Sequence, residues 1–203
     1  MVVALCLIPL AYLLGTFPSA ALVARSRGID ITKAGSGNPG ASNTTRLLGW
    51  KLGLVVLLAD IGKGAIAAGV GLALDGHRGA YVLGVAAVLG HVFPVTRRFK
   101  GGRGVATAAG ALVVVFPLIV LVLGVVWFVI ARGFHKASIA SLVCAVLFPT
   151  VVAVTGGSWG DIAVASGLGV LVIVRHLSNV RRLIRGEEHG LGGSADDGGS
   201  VAA

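Results

Sequence analysis

Charge is what this sequence lacks most. Only 12% of its 203 residues are charged, about half the share of a soluble domain, which argues against a water-exposed surface. Cysteine is scarce too. Cys6 and Cys144 each sit inside an apolar run without metal-ligand spacing, so neither a disulfide scaffold nor a cysteine-based metal site is expected, and both read as small hydrophobes. The first apolar stretch lacks a basic leader and is followed by further apolar runs, so it reads as a retained helix and not a signal peptide. No repeat and no separate soluble domain is visible.

What is present is apolar. Hydrophobic residues make up 56% of the chain and the mean hydropathy is +0.94. They come in runs, the pattern of a chain whose solvent is lipid. The 32 glycines show no G-X-Y period and are spread through those runs, which suits close helix packing in a bilayer. A net charge of +9 in a soluble protein would suggest nucleic acid. Here the basic residues lie between apolar segments, so membrane topology explains them first and no nucleic-acid partner is expected.

Seven spans are expected, near 2–24, 52–74, 79–96, 104–117, 118–132, 138–155 and 160–179. A span needs about 20 apolar residues, and the fourth and fifth share one short stretch broken near Phe116-Pro117. With seven helices, every Lys and Arg except Lys63 and Arg78 falls on one side. The positive-inside rule then selects an all-α membrane protein with its N-terminus outside and its C-terminus cytoplasmic. Residues 1–188 read as one membrane domain. Residues 189–203, rich in Gly, Ser and Asp, read as a disordered tail.

Three segments carry chemistry, all on the cytoplasmic side of this topology. The first runs from Gly35 through Ser36, Gly37, Asn38, Gly40 and Asn43 to Arg46. Its glycines allow backbone N–H groups to form an anion nest, with a hydroxyl and a guanidinium added. It matches G-x-G-x-x-G literally, but no strand precedes it, so a dinucleotide site is excluded. A Walker A loop is excluded because its Lys-Ser/Thr is missing. The second follows Gly90-His91-Val92-Phe93-Pro94: Lys100, Gly101, Gly102, Arg103 and Gly104 lead into an apolar helix, whose N-terminus suits an anion. In the third, Arg175, His176, Asn179 and Arg182 place polar groups on one face of a helix end. Each has a plainer reading, as a flexible loop or a basic membrane anchor. Ser138 stands at a cytoplasmic helix start, where capping is the simple explanation. Asp60 and Lys63 lie three apart within a span and suggest a structural pair or a functional one. Two anion sites on one face, with lipid beside them, point to lipid-headgroup or acyl chemistry.

Together the segments GSGNPGASNTTR (35–46), GHVFPVTRRFKGGRGVAT (90–107) and RHLSNVRRLIRGEE (175–188) resemble the PlsY family of membrane acyl-phosphate:glycerol-3-phosphate acyltransferases. The Asp60-Ile61-Gly62-Lys63-Gly64 stretch is also similar. The resemblance covers residues 1 to 188. It implies acyl phosphate and glycerol 3-phosphate as substrates, with no cofactor and no metal. It also implies a location in the bacterial plasma membrane with the active site at the cytoplasmic face. It carries over Ser36, Arg46, Lys100, Arg103, His176 and Asn179 as catalytic positions. Asn38 and Ser138 follow as substrate-binding, with Gly35, Gly37, Gly40, Asn43, Gly101, Gly102, Gly104 and Arg182 beside them. Two positions depart from the family pattern: Ser42 stands where Thr is usual, and Arg103 where Lys is usual. An arginine is effectively never deprotonated, so Arg103 cannot serve as a general base. The His-x4-Asp pair of unrelated acyltransferases is missing, since Thr96 and Arg181 stand five residues after His91 and His176. An organic-phosphate transporter and a lipid-binding structural protein are the rival classes.

Overall fold

The computed structural model describes residues 2–191. Every regular element among them is helical. The chain opens with α1 (Val2–Cys6), α2 (Ile8–Gly15) and α3 (Ser19–Arg25). Together they form one apolar length whose helical hydrogen bonding is interrupted at Pro18, which has no N–H to donate and sits at the N-cap of α3. A loop then leads to α4 (Ala41–Leu48) and the long α5 (Trp50–Val92).

α5 is a hairpin. Its backbone leaves helical geometry at Asp75 (φ −152°, ψ 29°) and Gly76 (φ 58°, ψ −148°). Lys63 Nζ lies 2.7 Å from His91 Nδ1, whereas a straight helix would place those residues about 42 Å apart. The two arms are therefore antiparallel, and Gly76 supplies the positive φ that lets the chain reverse. This is the junction expected between the spans at 52–74 and 79–96.

The next element differs from expectation. The sequence placed a span at 104–117, but α6 (Val105–Val113) has nine residues. At 1.5 Å per residue it crosses less than half of a hydrocarbon core about 30 Å thick. Residues 101–103 stay outside it as a loop, and Pro117 begins α7 (Pro117–Gly133, 17 residues). Hydropathy cannot separate a half-length helix from the end of a neighbouring span. α8 (Ala137–Val154), α9 (Trp159–Arg175) and α10 (Leu177–Ile184) complete the fold. Among the described residues three stretches are long and apolar enough to cross a membrane: Ile8–Arg25, Trp50–Arg97 (which contains the hairpin) and Ala137–Val154. α9 and α10, bent by 53°, make a fourth if taken as one broken span.

α6 is packed backbone to backbone against the first arm of α5. A Cβ on Gly110 would collide with the carbonyl of Ile61, and one on Gly64 with the carbonyl of Thr107. Such small-residue seams drive helix association in lipid, where apolar burial gives no net gain between helices. Gly110→Val is expected to remove the α5–α6 contact, costing about 1–3 kcal/mol or more. Size-exclusion profiles in detergent should show loss of monodisperse protein.

The tail departs from expectation where it is described. His189 to Leu191 fold back on the bundle: Arg46 Nε donates to the Gly190 carbonyl at 2.8 Å, and the Leu191 N–H donates to the His135 carbonyl at 2.7 Å. The rest of the expected tail, 192–203, lies outside the described residues.

Candidate functional site

The first segment is a loop braced from within. Asn43, 1% exposed at the first turns of α4, accepts the Ser36 N–H at 3.0 Å and Arg46 Nη1 at 3.1 Å on Oδ1. Its Nδ2 donates to the carbonyls of Ala34 at 3.1 Å and Ile31 at 3.4 Å. Two donors and two acceptors are thus used inside the protein. Asn43, expected to bind substrate, is placed as the brace that shapes the nest. Gly35 (φ 57°) and Gly37 (φ 68°) take left-handed conformations around it, and a Cβ on Gly35 would strike the Asn43 amide.

The second segment enters α6 through Gly104 (φ 87°). Its carbonyls are held from the third segment: Arg175 donates from Nη2 to Gly101 at 3.2 Å and from Nε to Gly102 at 3.3 Å. Arg103 is half-buried. Burial pushes its pKa down to about 10; nearby Glu188 opposes that, while Arg182, Arg46 and Arg175 add to it. It remains a cation at neutral pH. Lys100 is exposed and, like Arg46, Ser138, His176 and Asn179, does not line the cavity described below.

The third segment lies at the α9–α10 bend. His176, 2% exposed, places Nδ1 2.7 Å from the Val172 carbonyl. A carbonyl can only accept, so Nδ1 carries the proton and Nε2 is the ring's acceptor. Asn179, 1% exposed, donates from Nδ2 to Glu188 Oε1 at 2.6 Å. Arg182 Nε donates to Glu188 Oε2 at 2.8 Å. Burial pushes the Glu188 carboxyl up, but Asn179, Ser138 and Arg182 outweigh it and leave the pKa below the usual glutamate value. Ser138 exerts that influence without good hydrogen-bond geometry; its Oγ, Asn179 Oδ1 and Arg182 Nη2 are buried and make no hydrogen bond among the described residues. Buried polar atoms with spare capacity mark where a ligand would be held. Glu188 falls in the third quoted motif, but its partners were not readable from sequence: Ser138 lies 50 positions away.

The three segments meet. A cavity of about 350 Å³ is lined by Ser36, Gly37 and Asn38 from the first, Gly101 and Arg103 from the second, and Val174, Arg175 and Ser178 from the third. Arg46 feels both Glu188 and Arg182, which joins the first and third segments a second time. A separate apolar cavity of about 430 Å³ lies between the second arm of α5 and α9, lined by Val85, Leu89, Val164, Gly167, Leu168 and Leu171. Leu171 is one helical turn before Arg175, about 6 Å along the axis, so the apolar cavity leads toward the cationic one. Among the described residues no group of His, Cys, Asp and Glu could hold a metal ion.

An all-helical integral membrane protein with a cationic, glycine-lined cavity beside an apolar groove is the class that fold and site define. The glycerol-3-phosphate acyltransferase family model matches residues 5–186. The chain is 42% identical to a glycerol-3-phosphate acyltransferase of Bacillus cytotoxicus, over 90% of this chain and 92% of that one. It is 41% identical to one of Aquifex aeolicus, over 92% and 98%. A crystal structure of PlsY, an integral membrane glycerol 3-phosphate acyltransferase, in its glycerol 3-phosphate form superposes with a TM-score of 0.88 at 38% identity, covering 92% of this chain and 94% of that one. Its lysophosphatidic acid form gives 0.85 at the same identity. The chain belongs to the glycerol-3-phosphate acyltransferase family.

Proposed function

We propose that this protein transfers a fatty acyl group from acyl phosphate to the sn-1 hydroxyl of glycerol 3-phosphate at the cytoplasmic face of the bacterial plasma membrane, the face on which the basic residues gather. The products are lysophosphatidic acid and phosphate. The observation that carries the reading is the single cavity to which all three cationic and glycine-rich segments contribute. The glycerol 3-phosphate and lysophosphatidic acid forms of the similar PlsY structure support the acceptor and product.

An acyl phosphate is already activated, so transfer needs no covalent enzyme intermediate. The hydroxyl oxygen attacks the acyl carbonyl carbon. The carbon–oxygen bond to phosphate breaks, and the leaving phosphate keeps the electron pair. The hydroxyl proton passes to that phosphate. Arg103, Arg46 and the glycine-rich amides hold the phosphates and the developing charge. His176 Nε2 accepts from the attacking hydroxyl and aligns it, with Asn179 and Ser138 beside it. The acyl chain lies in the apolar groove between α5 and α9. Lys100, which is exposed, acts on approaching anions at longer range.

Ser36 binds and does not attack. Among the described residues no histidine or carboxylate hydrogen-bonds its hydroxyl, so nothing there activates it as a nucleophile. Ser36→Ala is expected to retain turnover with a KM raised about tenfold, the size of one hydrogen bond to a charged group. Abolished turnover with unchanged phosphate binding would favour a covalent route. The function itself is tested with purified protein, acyl phosphate and glycerol 3-phosphate, without coenzyme A. Lysophosphatidic acid should form. Phosphate release alone would make the protein a hydrolase, and no turnover with any acyl donor would favour transport.

A further inference from the structure

Beneath the glycine-rich loop lies a buried polar chain that the proposed reaction does not use. Asp60, Lys63 and His91 are 1%, 4% and 5% exposed. The Lys63 ammonium has three protons and meets three acceptors: Asp60 Oδ1 at 2.9 Å, His91 Nδ1 at 2.7 Å and the Phe17 carbonyl at 3.3 Å. The Ser19 hydroxyl donates to the same Asp60 oxygen at 2.7 Å. An ammonium only donates, so His91 Nδ1 accepts and the ring's proton sits on Nε2. That Nε2 abuts Gly102, where a Cβ would collide with it. The Gly102 N–H also donates to the His91 carbonyl at 3.1 Å, and a Cβ on Gly101 would strike the carbonyls of His91 and Val92. On the other side Arg175 grips the carbonyls of Gly101 and Gly102. The loop is clamped between a histidine ring below and a guanidinium beside it, and the next residue is Arg103. Tyr12 holds the same turn, donating to the Phe93 carbonyl at 2.6 Å and accepting the Val95 N–H at 3.1 Å.

Burying an ion pair is repaid only where its geometry is good and further hydrogen bonds satisfy the remaining groups, as they do here. Here it fixes one tautomer and one orientation of His91. We infer that Asp60, Lys63 and His91 form a positioning relay that seats the 101–103 loop at the height required to bind a phosphoryl group. The inference rests on the proposed phosphate site, but not on acyl transfer itself.

The test separates the two. Binding of inorganic phosphate, read by calorimetry on detergent-purified protein, reports the loop without turnover; KM and kcat report the reaction. His91→Leu keeps bulk and removes both ring nitrogens. It leaves one buried Lys63 proton without its acceptor, so the unfolding midpoint should fall; in the folded protein it should weaken phosphate binding and raise the KM for a phosphate substrate about tenfold, and His91→Gln, whose amide can accept from Lys63 and keep a donor near Nε2, should recover to within about threefold of wild type. If His91→Leu fails to fold, the double variant Asp60→Asn/Lys63→Met removes both charges, keeps the ring and should weaken phosphate binding in the same direction. Wild-type phosphate affinity in a folded His91→Leu or double variant overturns the relay. So does a His91→Gln no better than His91→Leu, which would leave only packing. Should wild-type protein bind phosphate but make no lysophosphatidic acid, the acyltransferase reading fails while the phosphate measurements still decide the relay.

Discussion

Arg103→Ala is expected to lower kcat/KM by about 10²–10³-fold, the usual loss when one preorganised stabiliser of developing charge is removed. Arg103 is the cation that the second segment puts into the cavity, beside Ser36 and Arg175, and it is partly withdrawn from water, where its charge counts for more. Arg103→Lys is the sharper variant, because it restores the residue usual in the resembling family. Near neutral pH it should keep activity within about tenfold, since charge survives while bidentate geometry is lost. The pH profile should change. Burial draws the Arg103 pKa down toward about 10, but the guanidinium stays charged across the working pH range. A lysine starts about two pH units lower, and the same burial pushes it down further. Its charge therefore disappears as pH rises through a lower value, and the alkaline limb of kcat/KM should move toward neutral. A superimposable profile would mean that charge at 103 does not matter. An active Arg103→Lys that gains rate at alkaline pH would mean that a neutral amine acts as base there, a route that the wild-type arginine does not offer.

The convergence of the three segments was readable because each is a local pattern. Glycines beside Ser36 and Arg46, glycines around Arg103, and a polar helix end at His176 and Asn179 are visible within short windows, and the distribution of Lys and Arg placed them on one face. The break at Asp75–Gly76 was readable as the gap between two apolar runs. Long-range partnerships were not. His91 stood inside a quoted motif, but nothing local says that Lys63, 28 positions earlier, would fix its tautomer. Asn43 read as one more polar residue of a nest, and only the fold shows its amide turned inward. Glu188 closes the third quoted motif, but nothing local says that Ser138, 50 positions earlier, would help to hold its carboxylate. The α6 helix was overextended for a related reason. Hydropathy measures how apolar a stretch is, while its end at Val113 is set by the turn before Phe116-Pro117 and by the seam at Gly110.

His176→Ala should lower kcat by about 10²-fold, the size of loss that follows when a reacting group is misplaced, while KM changes little. The expectation follows from the tautomer. With the Nδ1 proton committed to the Val172 carbonyl, the neutral ring offers a lone pair at Nε2 and no donor, so in that form it does not hold a phosphate oxygen but can accept from a hydroxyl. Loss of that acceptor leaves both phosphates bound and the nucleophile poorly aimed, which is a deficit in kcat. His176→Gln, whose side-chain oxygen can accept in a similar place, should recover part of the rate. His176→Lys, which can only donate, should recover none despite its positive charge. If instead His176→Lys were the better variant, the residue would be serving as a cation toward phosphate, and alignment of the hydroxyl would fall to Asn179 Oδ1 and Ser138 Oγ, the buried atoms with spare capacity. Measuring kcat and KM for both substrates in the three variants distinguishes these roles. A kcat that stays at the wild-type value in His176→Ala would remove the histidine from the chemical step altogether.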